Sequence, residues 1–290
     1  MDHWGASKES VYYMEQAGVV EVSEIAKKKM HNFINEPMKF FIYSMMAGVF
    51  CGLGMILAYS AGGSLVNNEF TVGFAKIIFG ISFALSFTLI VYAGSELFTG
   101  NVGVMTIGVL NRSITVKDGI KLACFVYVGN FLGATVIALL IGAGGLLDNS
   151  VTANYIVSSS VAKMQLPIMH SFARGILCNM MVVLATWSCA KLKSEPAKMM
   201  ILVWCVYGFC TSGFEHSIAN MALFVMSMIT PFTTSEISLA GTISNIIPVT
   251  LGNIVGGGAI GAVYYYLGSS SSSKPESDKM QMVKTDSLYM

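Results

Sequence analysis

Glu215 and His216 stand side by side in an otherwise apolar run, Gly213-Phe214-Glu215-His216-Ser217-Ile218-Ala219-Asn220. A second octet, Gly94-Ser95-Glu96-Leu97-Phe98-Thr99-Gly100-Asn101, repeats the frame: Gly, then Glu two on, then Asn five further. Histidine is the side chain whose ordinary pKa lies near neutrality, so His216 can share a proton with a weak acid. A carboxylate or nitrite could be drawn in as an anion and cross an oily section after taking a proton. A buried structural histidine bonded to loop backbone is the plainer alternative. Thr99 offers a rotatable hydroxyl that donates to an anion or accepts from a protonated acid. Its counterpart in the other octet is Ile218; the repeat does not account for Thr99, which favours a pathway role. Glu96 and Glu215 occupy equivalent places, which points to a shared structural task. They are expected to accept backbone N–H groups freed by a helix interruption, where a carboxylate also suits the helix dipole. Glu215 would additionally tune His216, and Asn101 and Asn220 are expected to satisfy loop backbone.

Both octets interrupt segments oily enough for a bilayer. The chain has 290 residues, 54% hydrophobic and only 11% charged, with mean hydropathy +0.66; soluble domains carry about a quarter charged residues. This composition belongs to an all-α polytopic membrane protein, where ionisable groups at depth usually face a pathway or a protein interior. A bilayer core needs roughly 20 apolar residues per helix. Six spans follow, at 38–60, 70–110, 119–145, 166–190, 199–228 and 238–267. Residues 70–110 are about twice the length of a straight span. A Gly-rich polar break at depth is tolerated only where the freed backbone lines a cavity or is buried in protein. Spans two and five therefore read as half-helix, loop and half-helix, the second halves beginning near Val102 and Ser217.

Basic residues sort to one side: Lys27 to Lys29 and Lys39, Arg112 and Lys117, Lys191, Lys193 and Lys198, then Lys274, Lys279 and Lys284. The positive-inside rule places both termini in the cytoplasm. Lys163, in the third connection, is the loop cation on the other side; it is either simply solvated or an attractor of anions towards an entrance. Before the first span, Val19, Val22, Ile25, Ala26, Met30, Phe33 and Ile34 recur at helical spacing. They predict an amphipathic helix that lies on the membrane or packs against another subunit. No apolar core with a small-residue cleavage site precedes it, so no signal peptide is expected.

The repeat extends beyond the octets. Gly129-Asn130-Phe131-Leu132-Gly133 in span three matches Gly252-Asn253-Ile254-Val255-Gly256 in span six. Gly48-Val49-Phe50-Cys51 in span one is paired with Gly175-Ile176-Leu177-Cys178 in span four. Each half holds an odd number of crossings, so the halves are inverted relative to each other, and paired broken helices mark a site near the midplane. The glycines themselves read as close helix packing. Phe83 and Phe87 sit one turn apart ahead of the first octet, and Phe209 precedes the second. Such rings either form hydrophobic constrictions that exclude hydrated ions or simply pack the core.

Other classes of function find little support. No basic block or aromatic-basic interleaving suggests a nucleic-acid partner. All six cysteines fall in apolar stretches without CxxC spacing. One histidine and two separated acids make a poor metal site, and no cofactor motif is present. His216 and Ser217 are neighbours on a helix and do not face each other as a nucleophile and base must. A neutral-solute pore of aquaporin type remains the competing reading, although such pores use Asn-Pro-Ala at their half-helix starts and this chain lacks that tripeptide.

Phe-Glu-His-Ser-Ile-Ala-Asn (214–220), Leu-Phe-Thr-Gly-Asn (97–101) and Ile-Pro-Val-Thr-Leu-Gly-Asn-Ile-Val-Gly-Gly-Gly (247–258) together resemble the formate/nitrite transporter family. The resemblance runs from about residue 38 to 267, with both interrupted spans in register. It implies a homopentamer with one pore per subunit and an aquaporin-like six-helix fold. It also implies passage of small monovalent anions or their acids: formate, nitrite, lactate, acetate or hydrosulfide. Carried over by motif, the central histidine is His216, the loop threonine Thr99 and the vestibule lysine Lys163, with Asn179 a further polar position near the pore. The outer constriction falls on Phe83 and Phe209, and the inner one on Phe87 and Leu97. Phe87 departs from the smaller aliphatic residue common there and would reshape the inner slit. The expected organisation is a cytoplasmic segment with an amphipathic helix (1–37), a channel domain in the cell membrane (38–267) and a disordered cytoplasmic tail (268–290).

Overall fold

The computed structural model describes residues 8–66 and 68–269. Ten helices follow in order: α1 Lys8–Asn35, α2 Pro37–Val66, α3 Val72–Leu89, α4 Phe98–Leu110, α5 Val116–Ala143, α6 Ser150–Met164, α7 Ile168–Lys191, α8 Glu195–Thr211, α9 Ser217–Ile229 and α10 Leu239–Ser269. Five helical stretches are long and apolar enough to cross a membrane: α2, α3 with the wide turn that follows it, α5, α7 and α10. The short apolar helices α4 and α9 complete the two broken spans.

The breaks have the same physical origin in both halves. After α3 a wide turn, Ile90–Gly94, loosens the helix, and Gly94 takes φ +82°. After α8, Gly213 takes φ +73°. A side chain in this left-handed region clashes with its own backbone, so glycine is the residue that lets each chain leave its helix and turn back.

The halves are held internally by glycine-lined crossings. A Cβ on Gly133 would run into the Met45 carbonyl of α2, and one on Gly256 into the Ile176 carbonyl of α7. Small residues let α2 meet α5, and α7 meet α10, at backbone contact.

The register of the repeat differs from the one expected. Glu96 N donates to Tyr43 O at 3.1 Å and Glu215 N to Arg174 O at 3.2 Å. Asn130 Nδ2 donates to Ser44 O at 2.7 Å and Asn253 Nδ2 to Gly175 O at 2.8 Å. The structural counterpart of Gly175 is therefore Ser44, and the pairing of Gly48 to Cys51 with Gly175 to Cys178 is out by four residues. Four residues is about one helical turn, so small-residue patterns match almost as well one turn away.

Three other expectations are corrected. The third connection is not a plain loop: it contains α6, capped by Asn149, whose side chain accepts from Val151 N and Thr152 N. α1 forms where its periodicity placed it but docks on its own chain. Its buried face (Val19, Val22, Ala26, Met30) packs against α4, α7 and α10, and Asn111 Nδ2 donates to Ser23 Oγ at 2.9 Å. Gly268 and Ser269, expected in the tail, continue α10 because Gly268 packs against Glu15 and Val19 of α1. The remainder of that tail lies outside the described residues.

Candidate functional site

His216 is the residue that opens α9. Its backbone is extended, with φ −114° and ψ 115°, and its side chain caps the helix. Nδ1 accepts from Ala219 N at 3.1 Å, satisfying one of the donors that a helix start leaves free. A neutral ring with Nδ1 accepting carries its proton on Nε2. Nε2 meets Thr99 Oγ1 at 2.9 Å, across 117 residues of sequence. Thr99 is fully buried in the first turn of α4. The two broken helices thus begin at one point, with the Thr99 hydroxyl on one and the His216 imidazole on the other. Because Oγ1 accepts from the ring, the hydroxyl proton is left to point elsewhere.

Aromatic rings fix this pair. Phe209 stacks on the imidazole with centroids 5.9 Å apart and planes at 13°. Phe83 meets Phe209 edge-on at 6.3 Å, and Phe79 stacks on Phe83. A cavity of about 160 Å³ reaches His216 from the Lys163 side, lined by Phe83, Phe209 and the imidazole. Tyr59, Tyr155 and Lys76 also line it; the sequence reading had singled out none of these three. A larger cavity, about 720 Å³, lies on the Lys29 side, with Phe87 and Leu97 in its lining. All four apolar residues are at most 5% exposed. Thr99, fully buried, lines neither cavity. The structure brings together His216, Thr99, Phe83 and Phe209, and places Phe87 and Leu97 on the opposite approach.

The carboxylates have a different task from the one expected. Glu215 accepts from Lys163 Nζ at 2.7 Å and Asn220 Nδ2 at 2.6 Å. Glu96 accepts from Lys29 Nζ at 2.5 Å and Asn101 Nδ2 at 2.9 Å. Each bonds side chains, and Asn101 and Asn220 serve the carboxylates instead of loop backbone. Lys163 is consequently neither free nor in a loop: it lies in the last turn of α6, bound to a carboxylate that is 2% exposed. Lys29 of α1 does the same for Glu96. The inverted repeat therefore includes the helix preceding each half, α1 and α6, as well as the spans.

The backbone support comes from two residues that sequence reading had assigned only to a packing motif. Asn130 Oδ1 accepts Phe98 N at 2.9 Å while Nδ2 donates to Glu96 O at 2.8 Å. Asn253 Oδ1 accepts Ser217 N at 3.0 Å while Nδ2 donates to Glu215 O at 2.9 Å. An amide carries both donors and acceptors, which a carboxylate lacks, so it can close both strands of a loop at once. Asn245 adds a bond to Asn220 at 2.9 Å on one side only. Asn179 lines neither cavity; its amide donates to Asn253 O at 2.6 Å and ties α7 to α10. Among the described residues no cluster of His, Cys, Asp or Glu could hold a metal ion.

Comparison with known proteins agrees with this geometry. The family model described as "Formate/nitrite transporter" matches residues 16–267. The nitrite transporter NirC of Escherichia coli (strain K12) is 34% identical over 251 residues, covering 87% of this chain and 91% of NirC. A solved structure described as an FNT family ion channel superposes with TM-score 0.80 at 32% identity, covering 86% of this chain and 98% of that one. A pentameric formate channel with formate bound gives TM-score 0.70 at 28% identity, covering 79% and 96%. With both broken helices, their supporting amides and the family match in place, the chain belongs to the formate/nitrite transporter family.

Proposed function

We propose that this chain passes small monovalent weak-acid anions, with formate, nitrite, hydrosulfide, acetate and lactate as candidate species, and that passage is proton-linked at His216. The observation that carries the reading is the 2.9 Å contact between Thr99 Oγ1 and His216 Nε2, buried between one cavity lined by Phe83 and Phe209 and another lined by Phe87 and Leu97. Two helix N-termini meet there, and their positive dipole ends favour an anion. Phe83 with Phe209, and Phe87 with Leu97, act as constrictions that a hydrated ion enters only by losing water. Lys163 and Lys29 stand at the two mouths, each paired with a carboxylate, Glu215 and Glu96, so each mouth carries an ammonium donor without net charge from the pair.

The chemistry follows from the hydrogen bonds. Nε2–H donates to Oγ1, so the hydroxyl proton of Thr99 is available to an anion in the passage. In that dry setting an anion loses hydration, and burial favours its neutral acid. A proton drawn from bulk water on the entry side therefore joins it, and the acid crosses the apolar constriction uncharged and gives that proton up to water on the far side. His216 can carry that proton only after Nδ1 releases Ala219 N–H, because two donors would otherwise face each other. Ala219 N–H thus acts as a latch on the ring.

The pentameric relative supports a homopentamer in the cell membrane, and the distribution of basic residues supports cytoplasmic termini. The test is formate, nitrite and hydrosulfide uptake into proteoliposomes at two external pH values. His216→Phe is expected to abolish the pH dependence. Uptake with unchanged pH dependence in that variant would remove the histidine from the mechanism.

A further inference from the structure

On the outer wall of the protein, α4, α5 and α10 leave an apolar groove of about 630 Å³ that belongs to neither approach to His216. Its floor includes Val102 and Met105 of α4, Ala123 and Cys124 of α5, and Ile254 of α10. Along α5 it runs from Val116 to Val128, about 18 Å at 1.5 Å per residue. One leaflet of hydrocarbon is about 15 Å deep, so the groove has the length of a single acyl chain in one leaflet. At its deep end Tyr127 and Thr250 close it with a 2.9 Å hydrogen bond between their hydroxyls.

The shallow end is basic. A second depression shares Val109 and Val116 with the groove and is lined by Lys27 and Arg112. Lys117 and Lys121 stand four residues apart on α5, and both continue the helical stripe of Cys124 and Val128, which line the groove. Arg112, Lys117 and Lys121 are exposed, and none forms a salt bridge among the described residues. Asp118, the acid on this turn, is engaged in a capping box with Thr115.

The repeat does not explain this arrangement. The equivalent turn of the second half, 230–238, contains Glu236 and no Lys or Arg. The equivalent half-helix α9 buries every residue from Ser217 to Phe224. One half of the molecule closes this wall with its own side chains; the other leaves it open beneath a cluster of cations.

We propose that this groove binds one anionic phospholipid, its acyl chain lying between α4, α5 and α10 and its phosphate held by Arg112, Lys117 and Lys121. Basic clusters at the end of membrane helices recognise anionic headgroups in this way. Phe98, at the deep end of the groove, immediately precedes Thr99, so the bound chain props the half-helix that carries the threonine hydroxyl. The proposal does not rest on which anion crosses; the orientation given above only makes the leaflet cytoplasmic.

The test is native mass spectrometry of the purified full-length protein, exchanged against phosphatidylglycerol and phosphatidylcholine of matched acyl chains. A surface cation contributes about fivefold in affinity for an anionic lipid, so three give a preference of about 100-fold for phosphatidylglycerol. The exposed triple variant Arg112→Gln, Lys117→Gln, Lys121→Gln is expected to keep its fold, to lose that preference and to retain both lipids equally. Cys124→Trp, which fills the groove, is expected to release both. Equal retention of the two lipids by the unsubstituted protein, or a preference that survives the triple variant, would overturn the assignment. So would a Cys124→Trp protein that loses its oligomeric state while holding lipid unchanged, because the groove would then belong to a second copy of the chain.

Discussion

Replacing Asn253 with alanine tests whether amides or carboxylates hold the broken helices. The side chain makes three bonds around one loop: Ser217 N at 3.0 Å, Gly175 O at 2.8 Å and Glu215 O at 2.9 Å. It is fully buried, so the groups left behind are stranded away from solvent. A buried donor without a partner costs about 1–3 kcal/mol. The two carbonyls cost less, since an unused lone pair is tolerated better than an orphaned N–H. The sum is about 3–5 kcal/mol, a large part of the roughly 5–15 kcal/mol that holds a typical domain together. Asn130→Ala should cost about the same, because it strands Phe98 N, Ser44 O and Glu96 O in the mirror-related loop. Asn179→Ala loses one 2.6 Å bond and serves as the control, at about 1 kcal/mol. Thermal unfolding in detergent, at fixed protein and lipid concentration, should show losses on the order of 10 °C for the two larger cases and a few degrees for the control. If Asn253→Ala falls no further than Asn179→Ala, the loops are held by something other than these amides.

Thr99→Val keeps the volume and removes the hydroxyl that meets His216; transport should drop at least about tenfold while unfolding shifts by no more than about 1.5 kcal/mol, a split read by comparing uptake with melting. Gly213→Ala places a Cβ in open space at φ +73°, so its cost should be the left-handed strain alone, about 1–2 kcal/mol. Gly256→Ala, which drives a Cβ into the Ile176 carbonyl, should leave no folded oligomer by size-exclusion chromatography. Lys163→Met should destabilise by about 3–5 kcal/mol because Glu215 is left charged at 2% exposure. Adding Glu215→Gln should recover most of that loss, and a double-mutant cycle on unfolding midpoints would measure the recovery.

What could be read in advance, and what could not, follows from the range of each interaction. The two breaks were legible because Gly, Glu and Asn recur in the same frame within oily runs; the left-handed backbone of Gly94 and Gly213 is the reason that frame opens on glycine. Thr99 and His216 were legible through asymmetry: the repeat puts Ile218 and Leu97 in their places, while the two other uncopied polar positions, Ser95 and Ser217, carry only small hydroxyls. The carboxylates misled because a charge in an oily run suggests work on its own loop. In the fold each is neutralised by a lysine from a helix packed alongside, 67 residues away for Glu96 and 52 for Glu215. No local pattern encodes that partner. Helix α6 was hidden for a different reason. Its buried side at Ala153, Ile156, Val157, Ser160 and Met164 is spaced as an amphipathic helix, yet its serines and threonine make it read as a connection when spans are sought by hydropathy. The four-residue error in pairing α2 with α7 shows the limit of motif matching within helices, where a slip of one turn presents nearly the same face. The backbone bonds of Glu96 and Glu215 resolve it by putting Arg174 opposite Tyr43, and the amide bonds of Asn130 and Asn253 agree by putting Gly175 opposite Ser44. The consequence is mechanistic as well as formal: with the register corrected, Asn179 of α7 falls opposite Gly48 of α2, so one crossing carries an amide where its mirror image has no side chain. That substitution lies beside Asn253, whose amide fixes the first residue of α9, so of the two half-helices that meet at the Thr99–His216 contact it is α9 whose anchoring asparagine is itself tied to a further amide.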